Sequence, residues 1–293
     1  MIDVRSPAQP SALWAEDWRA REAAHEARAE QYTAGHRERS ARGEKHPVED
    51  FLFTYYSYKP AALRRWHPGE AVELEGAAGT PRSAWRWYVP GTRPASLAVD
   101  GVGHRAERSA LIQNIGRILR ATAGRTGSFG CFGMHEWAMV YRADEHRHTA
   151  PLRLGRAGTD AVVEASELRC THFDAFRFFT PDAVPRNREQ PARDRQTALE
   201  QPGCLHAGMD LYKWAVKLGP LVPGELLLDT FAHAREIRTL DMQASPYDLT
   251  EWGYAPVRIE TAEGKAEYVR RQREFAQRGQ TLRERLLAVI DAR

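Results

Sequence analysis

Residues 205–219 read LHAGMDLYKWAVKLG, and after the break PLVPG residues 225–242 continue as ELLLDTFAHAREIRTLDM. In the first stretch Leu205, Met209, Tyr212 and Val216 recur at steps of four, three and four, the spacing that stacks side chains on one helical face. His206, Asp210, Lys213 and Lys217 mark the adjacent face at four, three and four. With Glu263–Asp291, these segments predict three helices, Leu205–Leu218, Glu225–Met242 and Glu263–Asp291, closing the chain.

Upstream, Thr180–Gly203 is rich in Pro, Arg, Asp and Gln and reads as a linker, the one candidate for an internal boundary. Glu107–Ala123 carries a Leu111, Ile115, Leu119, Thr122 stripe and predicts a further helix. So does Ser11 to about Arg39, where Trp14, Trp18, His25, Ala29 and Tyr32 share a face and Ser11 is placed to cap it. Between these helices VELEG (72–76), WRWYV (85–89) and SLAVD (96–100) alternate and are separated by turn residues, as strands are. His148–Leu154 and Val162–Phe179 also read as extended, joined by a hairpin at Gly155–Gly158. The expectation is an α+β fold, predominantly helical with a smaller antiparallel sheet. Residues 1–45 form an N-terminal helix, and residues 46–293 a single main domain.

A hydrophobic content of 42% over 293 residues suits a folded chain with a sizeable core. No apolar stretch approaches the roughly 18 residues that span a bilayer, and MIDVRSPAQPSALW lacks a basic-then-apolar leader, so neither a membrane nor secretion is expected. Cys131, Cys170 and Cys204 are odd in number and form no CxxC pair, which points away from a disulfide framework and towards the cytoplasm. Five of the 42 basic residues are lysine and the rest arginine, against 39 acidic ones, a balance without the lopsided charge of a strong nucleic-acid binder. Gly124, Gly127, Gly130 and Gly133 form a loop that lacks the GK[ST] ending of a phosphate cradle.

Three clusters carry potential chemistry. The first runs from His135 and Glu136 through Asp144, His146 and His148 to His172 and Asp174 in CTHFDAFRFF. On a strand, His146/His148 and His172/Asp174 each project to one side, which would suit two ligands on one metal. A His-x-Asp pair with a distant histidine, His206 or His233, makes the triad of non-haem iron enzymes. The bland alternative is an imidazole bonded to a carboxylate or to backbone. The second cluster is the His206/Asp210 pair with Lys213, readable as acid–base machinery beside a phosphate contact or as a solvated helix stripe. The third is Asp229, an acid early in a helix that follows a Gly/Pro turn, as in helix-hairpin-helix glycosylases.

HPVEDFLFTYYSYKPAALRRWHPG (46–69), CTHFDAFRFFTPDA (170–183) and CLHAGMDLYKWAVKLGPLVP (204–223) resemble a family of proteins from high-GC bacteria usually labelled 3-methyladenine DNA glycosylase. The resemblance runs from about His46 to the C-terminus. It carries no residue-by-residue catalytic assignment, because the motifs of the established glycosylase types are not matched. It implies an N-glycosidic hydrolase that removes an alkylated purine from DNA or a nucleoside, without cofactor or membrane and with no evident protein partner. Such an enzyme would need a carboxylate, Asp174, Asp210 or Asp229, with His206 as acid–base partner. Trp137, Phe173, Tyr212 and Trp214 would wall the base, with Lys213 a phosphate contact and Arg117, Arg120 and Arg125 holding DNA. Two other functions stand beside it. One is an iron or other divalent-metal enzyme acting on a small molecule, its ligands drawn from His135, His146, His148, His172 and Asp174. The other is a non-catalytic protein that binds nucleic acid or a ligand.

Overall fold

The computed structural model describes residues 11–144 and 149–292. Four three-residue strands, β1 (Ser11–Leu13), β2 (Val72–Leu74), β3 (Tyr88–Pro90) and β4 (Leu97–Val99), form one sheet in the order β1-β2-β4-β3. The first long helix, α1 (Ala15–Ala41), is followed by short α2 (Phe51–Tyr55) and α3 (Pro60–Arg64). After the sheet come α4 (Gly101–Glu107), α5 (Ser109–Ala123), α6 (Met134–Ala138), α7 (Gly155–Glu164), α8 (Phe173–Phe176) and α9 (Gln196–Leu199). Three helices close the chain: α10 (Leu205–Leu218), α11 (Gly224–Gln243) and α12 (Ala262–Asp291). Helix, 3-10 turns included, takes 57% of the described residues, so the class is α+β and predominantly helical. No helix among the described residues is long and apolar enough to cross a membrane.

The sheet is mixed, not wholly antiparallel as expected. β2–β4 and β4–β3 pair antiparallel, with Ala98 opposite both Glu73 and Val89, but β1 pairs parallel to β2. Ser11 therefore belongs to a strand and does not cap α1; Trp14 holds that position without a side-chain cap bond. Buried Glu73 accepts bonds from the Thr92 amide (2.9 Å), the Thr92 hydroxyl (2.8 Å) and the Ser96 hydroxyl (3.1 Å), and so shapes the turn that joins β3 to β4.

The extended reading of Val162–Phe179 and the hairpin at Gly155–Gly158 are also corrected. Gly155, at φ +63°, opens helix α7, where the Thr159 hydroxyl bonds back to the Gly155 carbonyl at 2.7 Å. Val162 and Thr159 favour strands only weakly, and packing of buried Thr159 and Val163 decides the outcome. Within 162–179 the described backbone holds helical turns and one isolated bridge, Leu168 with Asn187.

One core joins the long helices. Tyr212 of α10 meets Phe231 of α11 with ring centroids 5.0 Å apart, and Ile115 and Leu119 of α5 lie in the same cluster. So do Trp18 and Ala29 of α1, and the Trp18 indole donates to the Glu75 carbonyl at 2.9 Å. The 180–203 segment packs as well. Gln196, Glu200 and Gln201 are buried, and the Gln201 side chain accepts from the Ser128 and Gly203 amides at 2.8 and 2.7 Å.

Candidate functional site

Helix α10 lies at the centre of a buried polar core. Gly208 lets α11 approach it closely, since a Cβ there would stand 2.7 Å from Ile237 Cδ1. That approach brings His206, the second residue of α10, against residues of two other helices. Gly133, left-handed at φ +72°, turns the chain into α6 and delivers His135. Asp241 comes from the last turn of α11 and is fully buried. Ligand atoms of His135, His206 and Asp241 all lie within 4.8 Å of one another.

His135 and Asp241 meet directly. Nε2 of the ring and Oδ1 of the carboxylate are 2.8 Å apart, the distance of an ion pair, and neither atom has another partner. Arg238 holds the other carboxylate oxygen of Asp241 at 2.9 Å and Glu136 at 2.7 Å. Asp241 is thereby fixed with Oδ1 turned to His135. The His206 ring stands edge-on to His135, centroids 4.4 Å apart.

A second cluster adjoins the first through the His206 and His172 rings, stacked at 5.3 Å. His172 Nε2 sits 3.3 Å from both Glu200 Oε1 and Asp210 Oδ2. Asp210 also accepts from the Tyr56 hydroxyl at 2.8 Å and from the Lys213 ammonium, and Gln196 donates to Glu200 at 2.5 Å. Lys213 reaches Asp174 at 3.5 Å.

The two clusters differ in charge. Burial and the neighbouring His135 hold the His206 imidazole neutral, well below its ordinary range. Burial opposes charge on His135 too, but Asp241 outweighs it and moves that ring upward. Burial likewise works against His172, but Asp210 and Glu200 overcome it and raise the group to about 9. Asp210 is held well below the usual carboxylate range by Lys213 and His172 despite its burial. The second cluster is thus a set of mutually paired charges with the His172 Nδ1 left unpartnered, whereas the first sets a neutral imidazole beside a His135–Asp241 pair.

A cavity of about 20 Å³ opens on His135 and His206, room for one or two water-sized molecules. Cys131, Cys170 and Cys204 line it with Tyr268, whose buried hydroxyl has no partner. Burial keeps the thiols protonated, raising Cys170 to about 12.

The sequence-derived candidates divide. His135, His172, His206, Asp210, Lys213 and Asp174 come together. His146 and His148 lie outside the described residues. His172 and Asp174 do not share a strand face as expected: His172 precedes helix α8 and turns to Asp210, while Asp174 opens that helix and meets Arg193 at 3.1 Å. The His206/Asp210 face is buried, not a solvated stripe. Asp229 lies apart, its carboxylate spanned by Arg28 at 2.9 Å and Arg285 at 2.8 Å.

The expected base walls and phosphate contacts are mostly interior. Trp137 is wholly buried and donates to the Ala244 carbonyl at 2.8 Å, and Tyr212 and Trp214 are core residues. Phe173 is half-buried, with the Arg193 guanidinium 4.7 Å from its ring centre. Lys213 is buried between Asp210 and Asp174, not turned to a phosphate. Arg125 faces inward and donates to the carbonyls of Glu200 and Thr197 at 2.6 and 2.5 Å, so it does not share the exposed side of α5 with Arg117 and Arg120. Arg117 bonds Asn114 at 2.8 Å and Arg120 pairs with Asp291.

Sequence reasoning missed Asp241, Glu200 and Arg238, and placed Glu136 only beside His135. The one signal was a charged pair, Arg238 and Asp241, at helical spacing between apolar Ile237, Leu240 and Met242. Glu200 was hidden in the presumed linker. Comparison of the chain with protein-family models, curated proteins and solved structures finds no match.

Proposed function

We propose that the protein is a metal-dependent enzyme whose centre is a single divalent ion, iron(II) by its donor set, held by His135, His206 and Asp241. The observation that carries this reading is the convergence of two buried imidazoles and one buried carboxylate from three helices, with ligand atoms of His135, His206 and Asp241 within 4.8 Å of one another. Metal bonds of about 2.1 Å set adjacent ligand atoms roughly 3 Å apart, close to the 2.8 Å between His135 Nε2 and Asp241 Oδ1. Two imidazoles and one carboxylate form the facial triad typical of non-haem iron, which leaves positions open for a small molecule and supplies redox or polarising chemistry that side chains lack. The chain's own part is to fix the ligands. Arg238 and Glu136 orient Asp241, as partners outside a metal's ligand set commonly do. The neutral His206 has a lone pair to give, and the thiol-lined cavity admits only a small reactant.

This reading is preferred to base removal because each carboxylate that base removal would use is engaged by cations: Asp174 by Arg193 and Lys213, Asp210 by Lys213, and Asp229 by Arg28 and Arg285. Elemental analysis of protein purified without tag or chelator tests it. The expected result is about one equivalent of iron, lost in His135→Ala and kept in Asp229→Asn. Protein that takes up no iron when offered it, or that keeps its iron in His135→Ala, would overturn the assignment.

A further inference from the structure

Far along α10 from His206, at its C-terminal end, a groove of about 540 Å³ lies between that end, the segment before β3, and helices α4 and α5. Its volume falls within the usual range for a small-molecule site, roughly 300–1,000 Å³. Four cations line it, Arg65, Arg86, Arg108 and Lys217, and no carboxylate does. Glu107 nearby serves two of them, Arg86 at 2.6 Å and Arg108 at 3.6 Å. Among the described residues neither Arg65 nor Lys217 has an ion-pair partner. Indoles hold the guanidiniums in place: Arg65 lies 4.6 Å from the centre of the Trp85 ring and Arg86 4.5 Å from that of Trp87.

Unpaired cations that converge on one concave surface favour an anion, and arginine suits phosphate in particular, through its planar fork. Half-buried Trp87 and Tyr58 offer aromatic surface in the same groove, and rings of this kind stack with planar bases. His104, which also lines it, is buried with an unpartnered Nδ1 and keeps its ring edge-on to Trp87 at 4.9 Å. Burial, with Arg108 and Arg105 nearby, disfavours charge on this imidazole, so the neutral ring can also accept a hydrogen bond.

We infer that this groove binds a nucleoside phosphate, with the phosphate on Arg65 and Lys217 and the base against Trp87. The site is independent of the proposed metal centre and shares no residue with it. A base-plus-phosphate ligand could be a free nucleotide or one unit of a single strand.

Calorimetric titration of the full chain with AMP, adenosine, inorganic phosphate and oligo(dT) tests the inference. AMP is expected to bind more tightly than adenosine or phosphate alone. The Arg65→Ala, Lys217→Ala double variant, altered at two exposed positions, is expected to lose at least about tenfold in AMP affinity while keeping its far-UV circular dichroism. Oligo(dT) binding more tightly than AMP assigns the groove to a strand, and AMP binding as well or better assigns it to the free nucleotide. AMP that does not bind, that binds no better than phosphate, or that binds the double variant equally well would overturn the proposal.

Discussion

The chemistry of this protein turns on a few buried charges, and Lys213 shows how tightly they are bound to one another. Its ammonium is buried against Asp210 and near Asp174, and Asp210 in turn faces His172. Removing one partner of such a set leaves an uncompensated buried charge, at a cost of about 3–5 kcal/mol. Lys213→Met is therefore expected to lower the free energy of urea unfolding by that amount, and adding Asp210→Asn should restore part of it. A loss below about 1 kcal/mol would mean that the ion pairs are solvated. His206 and Asp210 could be read from the sequence as neighbours on one helix. Spacing could not tell that their face points inward, nor that Asp241, 35 positions beyond His206 in the chain, would meet it. That meeting depends on the packing of two helices, which no local pattern encodes.

At the scale of elements, long amphipathic stretches declared themselves. The expected Leu205–Leu218 helix is α10 to the residue, and α11 and α12 each begin and end within a residue or so of expectation. Short elements did not. α6 and α8 have four or five residues, too few for a period to show, and they carry or adjoin His135 and His172. The 155–179 stretch was misread because Thr and Val favour strands locally, whereas burial against the core makes residues 155–164 helical. The seam between α10 and α11 positions the site, and Gly208 sits in it. Gly208→Ala would drive a methyl to 2.7 Å from Ile237 Cδ1. The end of an isoleucine can yield, so the expected cost is about 1–3 kcal/mol, read from chemical denaturation. A neutral or stabilising result would show that the helices part easily.

Over the whole molecule, charge is nearly balanced at +3, so stability against pH comes from individual buried groups more than from net repulsion. His67 and His233 are both pressed down to about 3. Burial is the main cause, with Arg82 and Arg65 adding to it at His67 and Arg278 and Arg283 at His233. Above the ordinary imidazole pKa of about 6.5 both states are neutral and nothing is lost. As pH falls from there towards 3, only the unfolded chain takes up the protons, and each histidine weakens the fold by up to about 1.4 kcal/mol per pH unit. His172, at about 9, acts in the opposite sense: its contribution is full below about 6.5 and fades as pH rises through 9. Unfolding free energy measured across this range should therefore fall on both sides of a maximum near neutrality. His67→Phe should flatten the acid limb, and an unchanged acid limb would contradict the assignment to buried neutral histidines.

If His135, His206 and Asp241 share one metal ion, anomalous diffraction at the iron absorption edge will locate it in crystals grown from protein loaded anaerobically with iron(II). One peak is expected about 2.1 Å from His135 Nε2 and Asp241 Oδ1, bonded to His206 as well and absent in Asp241→Asn. A peak between His172, Glu200 and Asp210, or none within the helical core, would contradict the assignment.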